Sequence, residues 1–233
     1  MYTVFSFALA VIPALFLVKY YYKQDSLKKE PKGLIVGVFL MGIVSTVPVI
    51  IIEIILDEFN KLLQPKSIEF FAFKAFIVAG FSEEFLKFFI VRFYPYRKKD
   101  FDEVMDGIVY AVVAGLGFAC LENIIYVINS GIMTAIVRAF TAIPLHALAA
   151  GIMGYYIGEA KFSPNIKIRN RFFIRGILWA ILIHGLYDFF LFISPQVGFW
   201  ISLLTLPLLY IAFRILKQKI KIAKREDLVM ERV

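Results

Sequence analysis

The feature that most constrains this fold is a series of apolar runs, each about twenty residues long, separated by short blocks of charge. A run of about twenty apolar residues is long enough to cross a bilayer as an α-helix. Hydrophobic residues make up 61% of the 233 residues, against about 45–50% in ordinary soluble domains. This pattern predicts a polytopic membrane protein. It excludes a disordered chain, a disulfide-stapled secreted domain and a soluble nucleic-acid-binding protein.

We predict an all-α membrane bundle, because the apolar runs lack the alternation of polar and apolar residues found in barrel strands. About seven spans are predicted, at 3–22, 33–56, 68–91, 104–128, 131–158, 172–193 and 197–216. No cleavage-site pattern follows the first run, so we expect it to remain as a helix. Short loops and the lack of a Pro-, Gly- or Ser-rich linker favour one membrane-embedded domain over residues 1–233.

The distribution of Lys and Arg predicts the orientation. Four segments on one side contain five, four, five and seven of these residues, at 19–32, 92–99, 161–175 and 214–232. The loops on the other side contain only Lys61 and Lys66. Because basic loops stay cytoplasmic, we predict an outer N-terminus and a cytoplasmic tail, 214–233, in a multi-pass cell-membrane protein. The net charge of +8 is therefore a topology signal, and we expect no nucleic-acid partner.

Several charged and polar residues lie inside the predicted spans. A charged side chain at the bilayer centre costs at least about 2.5–3.5 kcal/mol on insertion scales, so such residues face the bundle interior and are paired. Both histidines of the chain belong to this set. We predict that one polar site contains Glu83, Glu84, Lys87, Glu122, Asn123, Arg138, His146, His184 and Asp188.

Helix geometry relates some of these residues directly. Lys87 follows Glu83 by four residues and Glu84 by three, so it can neutralise either carboxylate. The two glutamates point about 100° apart, so one can face a cavity while the other braces it. Asp188 follows His184 by four residues and can orient its ring, which leaves the other ring nitrogen free for chemistry or a ligand.

The remaining intramembrane charges have structural interpretations. Arg138 is interpreted as a partner of Glu122 or Asp188. Three other residues are interpreted as lying near the membrane interfaces, where long side chains reach water: Asp106, Lys74 and Glu53, the last marking the outer end of the second span.

Buried glutamates and histidines suit the activation of water. A carboxylate can accept a proton from water, and an imidazole can donate a hydrogen bond to a developing oxyanion. The same residue types bind Zn²⁺, although the chain has no HExxH segment. The cofactor therefore stays open between Zn²⁺, another divalent metal and none. The candidate ligands are Glu84, Glu122, His146 and His184.

Four motifs occur in order on consecutive spans: EExxK at 83–87, FxxxE at 118–122 followed by Asn123, a lone His146, and HxxxD at 184–188. Over residues 68–193 this set resembles the PrsW family of bacterial intramembrane proteases. It is more distantly similar to the CAAX prenyl proteases and bacteriocin-processing enzymes. Those relatives have a histidine where this chain has Glu122.

The resemblance implies site-one cleavage, on the outer side, of a single-span membrane protein such as an anti-sigma factor in a stress response. Carried over to this chain, the functional positions are Glu83, Glu84, Glu122, His146 and His184. The supporting positions are Lys87, Asn123, Arg138 and Asp188. The family has been classed both as a metalloprotease and as a glutamate-dependent protease, so the resemblance leaves the metal open.

Two other classes of function remain open from the residues. Intramembrane Glu and His can relay protons in a small proton-coupled transporter or channel, although the repeated halves common in transporters are not evident. The polar residues could also only hold together a non-enzymatic assembly subunit. Cleavage of a single-span substrate, flux in liposomes, or neither, distinguishes the three.

Overall fold

The computed structural model describes residues 2–25 and 27–232, with side chains from residue 7 onward. Every regular element in these residues is helical, which confirms the all-α prediction for them. The α-helices are α1 (Tyr2–Gln24), α2 (Lys32–Asn60), α3 (Ile68–Phe73), α4 (Ser82–Phe93), α5 (Val104–Ser130), α6 (Ile132–Phe140), α7 (Ala142–Phe162), α8 (Ile166–Val197) and α9 (Thr205–Met230). A π-helix covers Lys74–Phe81, and 3-10 turns cover Pro95–Arg97 and Phe199–Leu204.

Five helical segments of the described residues are long and apolar enough to cross a membrane. They are Lys32–Asn60, Val104–Ser130, Ile132–Phe162, Ile166–Val197 and Phe199–Met230. The prediction of a multi-pass membrane protein is thereby confirmed. The predicted spans 3–22 and 68–91 correspond to α1 and to the stretch from α3 to α4, which are outside these five. The count of seven and the orientation therefore stay predictions.

Helix α5 is the centre of the bundle, and every residue from 104 to 120 is buried. It packs most extensively on α7, with backbone against backbone. A methyl group added at Gly154 would lie 2.2 Å from the carbonyl oxygen of Gly107. Helices surrounded by lipid associate through such close packing of small residues, since lipid tails are as apolar as the side chains. The glycines therefore hold α7, which carries His146, tightly against α5.

The predicted span 68–91 is helical but divided. Ser67 caps α3 by accepting a hydrogen bond from the backbone N–H of Phe70 at 3.1 Å. The π-helix that follows ends directly before the first turn of α4, and π-helical turns frequently occur next to functional sites. It packs on α8, where a Cβ at Gly185 would lie 2.2 Å from the Phe76 ring. This contact sets the start of α4 beside the part of α8 that carries His184.

The predicted span 131–158 is also divided, at Thr141, whose φ of −122° and ψ of −68° are not helical. Pro144 lies in the first turn of α7. Proline is tolerated there because the first N–H groups of a helix have no intrahelical acceptor. The break comes before it and makes α6 a separate short helix, which carries Arg138.

Candidate active site

The first turns of α4 supply two acids and a lysine, all buried. The Lys87 Nζ lies 3.0 Å from Glu83 Oε2 and 2.8 Å from Glu84 Oε1. It also lies 2.8 Å from His146 Nδ1 and 4.4 Å from the centre of the Phe118 ring. The prediction that Lys87 can reach either glutamate is confirmed, since it contacts both.

The buried His146 ring of α7 bridges the lysine to a third acid. An ammonium group can only donate hydrogen bonds, so Nδ1 of His146 accepts one from Lys87. The other nitrogen, Nε2, lies 2.9 Å from Glu122 Oε2 and donates to it. These two contacts assign the ring proton to Nε2 and hold the imidazole between α4 and α5.

The His184 ring of α8 contacts three carboxylates. Its Nε2 lies 3.4 Å from Asp188 Oδ2 and 3.7 Å from Glu83 Oε1. Its Nδ1 lies 2.7 Å from Glu84 Oε1. The predicted pairing with Asp188 is therefore present, but neither nitrogen is free of a carboxylate. The pattern within α8 could not indicate Glu84, which is 100 residues away in sequence.

The outer part of the network joins α5 to α6. The Nη2 atom of Arg138 lies 2.8 Å from Glu122 Oε2, and its Nε donates to Asn123 Oδ1 at 3.0 Å. The guanidinium group stacks 3.9 Å from the centre of the Tyr126 ring. Of the two partners predicted for Arg138, Glu122 is thus the one in contact. All nine residues predicted for the site form one connected network.

A cavity of about 650 Å³ lies against this network. The predicted site residues that line it are Glu83, Glu122, Arg138, His146, His184 and Asp188. Three residues of the network do not line the cavity but contact residues that do: Glu84, Lys87 and Asn123. The two adjacent glutamates thus differ in position, with Glu83 facing the cavity and Glu84 bracing His184.

Helix α2 contributes polar residues to the cavity that sequence analysis did not assign to the site. Thr46, Glu53 and Asp57 all line it. Their spacing of seven and four residues places them on one face of a helix, which is the signal that could have indicated them. Helix α2 continues for seven residues beyond Glu53, to Asn60, and the prediction that Glu53 marks the outer end of the second span stays a prediction.

The two other residues interpreted as interfacial lie at opposite ends of the bundle. Lys74 lines the cavity, with Nζ 3.9 Å from Asp57 Oδ1. Asp106 is buried in the first turn of α5, where its Oδ2 accepts hydrogen bonds from the backbone N–H groups of Asp102 and Glu103 at 2.8 and 2.7 Å. Asp106 therefore caps a helix and is not part of the site.

Side chains of the buried network fit a divalent metal by their chemistry. Imidazole nitrogens and carboxylate oxygens bind Zn²⁺, and four residues each offer one such atom within 4.8 Å of the others: Glu83, Glu84, His146 and His184. Glu84 Oε2 is buried without a hydrogen-bond partner, which leaves it available as a ligand. Of the candidate ligands from the sequence, Glu122 is outside this group.

Comparison with known proteins identifies the family. The family described as PrsW family intramembrane metalloprotease matches residues 30–215. The chain belongs to the PrsW family. That membership confirms the resemblance carried by the four motifs, and it establishes that the protein is a protease of the membrane.

Relatives in this family are similar over most of their length. Protease PrsW of Geobacillus kaustophilus is 37% identical over 208 residues, which is 89% of each chain. Protease PrsW of Bacillus subtilis is 38% identical over 181 residues, 78% of this chain and 80% of its own. Protease PrsW of Clostridioides difficile is 33% identical over 219 residues, 92% of this chain and 90% of its own. No solved structure matches this chain.

Proposed function

We propose that this PrsW protease makes the first, site-one cut in a single-span membrane protein such as an anti-sigma factor. The observation that carries the proposal is the meeting of buried acids and imidazoles from four helices at the wall of one cavity. An isolated polar bridge between helices needs no such cavity. A peptidase needs room for a peptide and a water molecule beside its proton acceptor.

Glu83 is the proposed general base. It is the member of the adjacent pair that faces the cavity, so its carboxylate can take a proton from a water molecule there while the water oxygen bonds to the scissile carbonyl carbon. The same carboxyl group then returns the proton to the leaving amine as the peptide bond breaks. Lys87, at 3.0 Å, holds the carboxylate in place.

The imidazoles and outer residues are proposed to orient the carbonyl. His184 lines the cavity, and its Nε2 can donate a hydrogen bond to the oxyanion when the oxyanion replaces Asp188, whose Oδ2 lies 3.4 Å from that nitrogen. Glu84, 2.7 Å from Nδ1, holds the ring in orientation. Glu122, His146 and Arg138 form the adjoining wall, and Asn123 positions Arg138.

A divalent metal is the open cofactor of this site. Glu83, Glu84, His146 and His184 are the residues that would hold it. When bound, Zn²⁺ would polarise the scissile carbonyl and lower the pKa of a water molecule. Glu83 would then be a ligand, and the general-base role proposed for it would apply to the metal-free site. Metal analysis of purified protein, with and without chelation, checks this point.

The cut is proposed to lie on the outer side of the membrane. The cavity is lined by residues near the C-terminal ends of α2 and α5, including Asp57, Asn129 and Ser130. The Lys and Arg distribution assigns that end to the outside.

We also propose that the chain has seven spans, which include α1 and the stretch from α3 to α4. They form one domain with a motif core at 68–193 and a cytoplasmic tail at 214–233.

The test is cleavage of a single-span reporter by purified protein in liposomes. Glu83→Ala, Glu84→Ala and His184→Ala should each abolish cleavage while the protein still accumulates in the membrane. Glu83→Gln should also be inactive, since an amide cannot take the proton. Glu84→Gln should keep a measurable rate, because its amide oxygen can still accept from His184.

Glu58→Ala is the matched control, since Glu58 is exposed on α2 and lies outside the cavity. It should cleave the reporter at the wild-type rate. Wild-type turnover by all three alanine variants at positions 83, 84 and 184 would end the proposal for these site residues.

A further inference from the structure

Among the described residues, four of the five acids that line the catalytic cavity have a cationic or imidazole neighbour. The pairs are Asp57 with Lys74, Glu83 with Lys87, Glu122 with Arg138 and Asp188 with His184. Glu53 lines the same cavity. Within residues 2–25 and 27–232 no hydrogen bond or ion pair satisfies its carboxylate.

The position of Glu53 makes this unpaired carboxyl group unusual. It lies in α2, seven residues before the helix ends at Asn60, so it is about 10 Å along the axis from that end. It is half-buried, and apolar residues of α2 flank it. A carboxylate within a helix that crosses the membrane is normally paired or part of a functional pathway.

A second polar group on the same face of α2 also lacks a partner. The Thr46 side chain is buried, and its hydroxyl oxygen has no hydrogen-bond partner among the described residues. Thr46 lines the cavity seven residues before Glu53. The face of α2 toward the cavity thus carries two polar groups without a hydrogen-bond partner among the described residues, as expected for a wall that binds a ligand.

We propose that Glu53 is a specificity residue that binds a Lys or Arg side chain of the substrate, next to the bond that is cut. This inference rests on the proposed function and names the chemistry of its substrate. A cationic side chain would give the cavity the charge that balances its fifth acid. Outer segments directly next to a membrane span carry fewer Lys and Arg residues than cytoplasmic ones, so a basic residue there distinguishes one substrate from many other single-span proteins.

The experiment uses three otherwise identical single-span reporters with Lys, Met or Glu at one position beside the scissile bond, in a scan of the outer flanking positions. At one position or more, the wild-type enzyme should cleave the Lys reporter at least about tenfold faster in kcat/KM than the Glu reporter, with Met between them. Glu53→Gln should reduce that ratio to near one. Glu53→Lys should invert it.

Glu58→Lys is the matched control, because it makes the same charge change on an exposed position of α2 outside the cavity. It should keep the wild-type preference. Cleavage of the Met reporter by wild type and by Glu53→Gln shows that both are folded and active. Equal cleavage of the three reporters at every position, or an unchanged preference in Glu53→Gln, overturns this inference alone. Failure of the wild type to cleave any reporter overturns the proposed function with it.

Discussion

Lys87 is the residue on which the site's charge balance depends. It is fully buried, and its ammonium group contacts two carboxylates and one imidazole within 3.0 Å. Removing one member of a buried ion pair leaves the other charge uncompensated, and such changes cost about 3–5 kcal/mol. The lysine therefore stabilises the fold as well as the geometry of the glutamates.

We expect Lys87→Met to lower the free energy of unfolding by about 3–5 kcal/mol, measured as a lower Tm of the purified protein in detergent. Adding Glu83→Gln to this variant should restore part of the loss, since it removes one of the unpaired charges. Lys99→Met, at an exposed position, is the control and should leave Tm unchanged. A wild-type Tm for Lys87→Met would show that the ammonium group does not compensate these acids.

At the scale of elements, the contact between α5 and α7 is the one that holds His146 in register with Glu122. That contact has no space for a side chain at Gly154, where a methyl group would meet the Gly107 carbonyl oxygen at 2.2 Å. Because the clash is with backbone, rotamer changes cannot relieve it.

Gly154→Val should therefore destabilise the protein by about 1–3 kcal/mol or more, as overpacking does in tightly packed interiors. Its Tm in detergent and its yield in the membrane measure the effect. Gly33→Ala provides the comparison, because nothing lies within 4 Å of a methyl group there, and it should be neutral. Equal stability of the two variants would mean that α5 and α7 can separate at no cost.

The loop between α1 and α2 contains two buried acids at the end of the bundle away from the cavity. Burial raises the pKa of Glu30 to about 7 and that of Asp25 to about 6. The Tyr110 hydroxyl donates a hydrogen bond to Glu30. Both acids hold protons in the folded state at pH values where the unfolded chain has released them.

Stability should therefore fall as the pH rises from about 5 to about 8, because the unfolded state binds fewer protons than the folded state over that range. Tm measured at several pH values detects this slope. Glu30→Gln should flatten it, since the amide does not titrate. A Tm that rises with pH in the wild type, or an unaltered slope in Glu30→Gln, contradicts this account of the loop.

For the whole molecule, the orientation decides which compartment supplies the substrate. The proposed outer N-terminus places the 61–67 loop outside and the 92–103 segment inside. On a Cys120→Ala background, Gln64→Cys should react with a membrane-impermeant maleimide added to intact cells, whereas Lys98→Cys should react only after lysis. The reverse labelling pattern would place the cavity mouth in the cytoplasm and the cut with it.

Much of the site could be predicted from sequence because its pairs lie within single helices. The 3.6-residue repeat determines that Lys87 can reach Glu83 and Glu84, and that Asp188 can reach His184. Apolar run length predicted membrane helices for the same reason, since it depends only on local composition. The break at Thr141 was not predicted, because residues 131–158 are apolar on both sides of it.

Contacts between helices were decided only by the tertiary structure. The way the helices cross and rotate determines that His146 pairs with Lys87 and His184 with Glu84. It also determines that Glu83, and not Glu84, faces the cavity and that Glu53 lines it. In a bilayer the lipid is as apolar as the side chains, so hydrophobic pattern does not reveal which face of a helix points inward. The amino-acid sequence by itself determined a helical membrane protein and its inventory of intramembrane acids and imidazoles; close packing at glycines, which depends on three-dimensional fit, decided which of them meet.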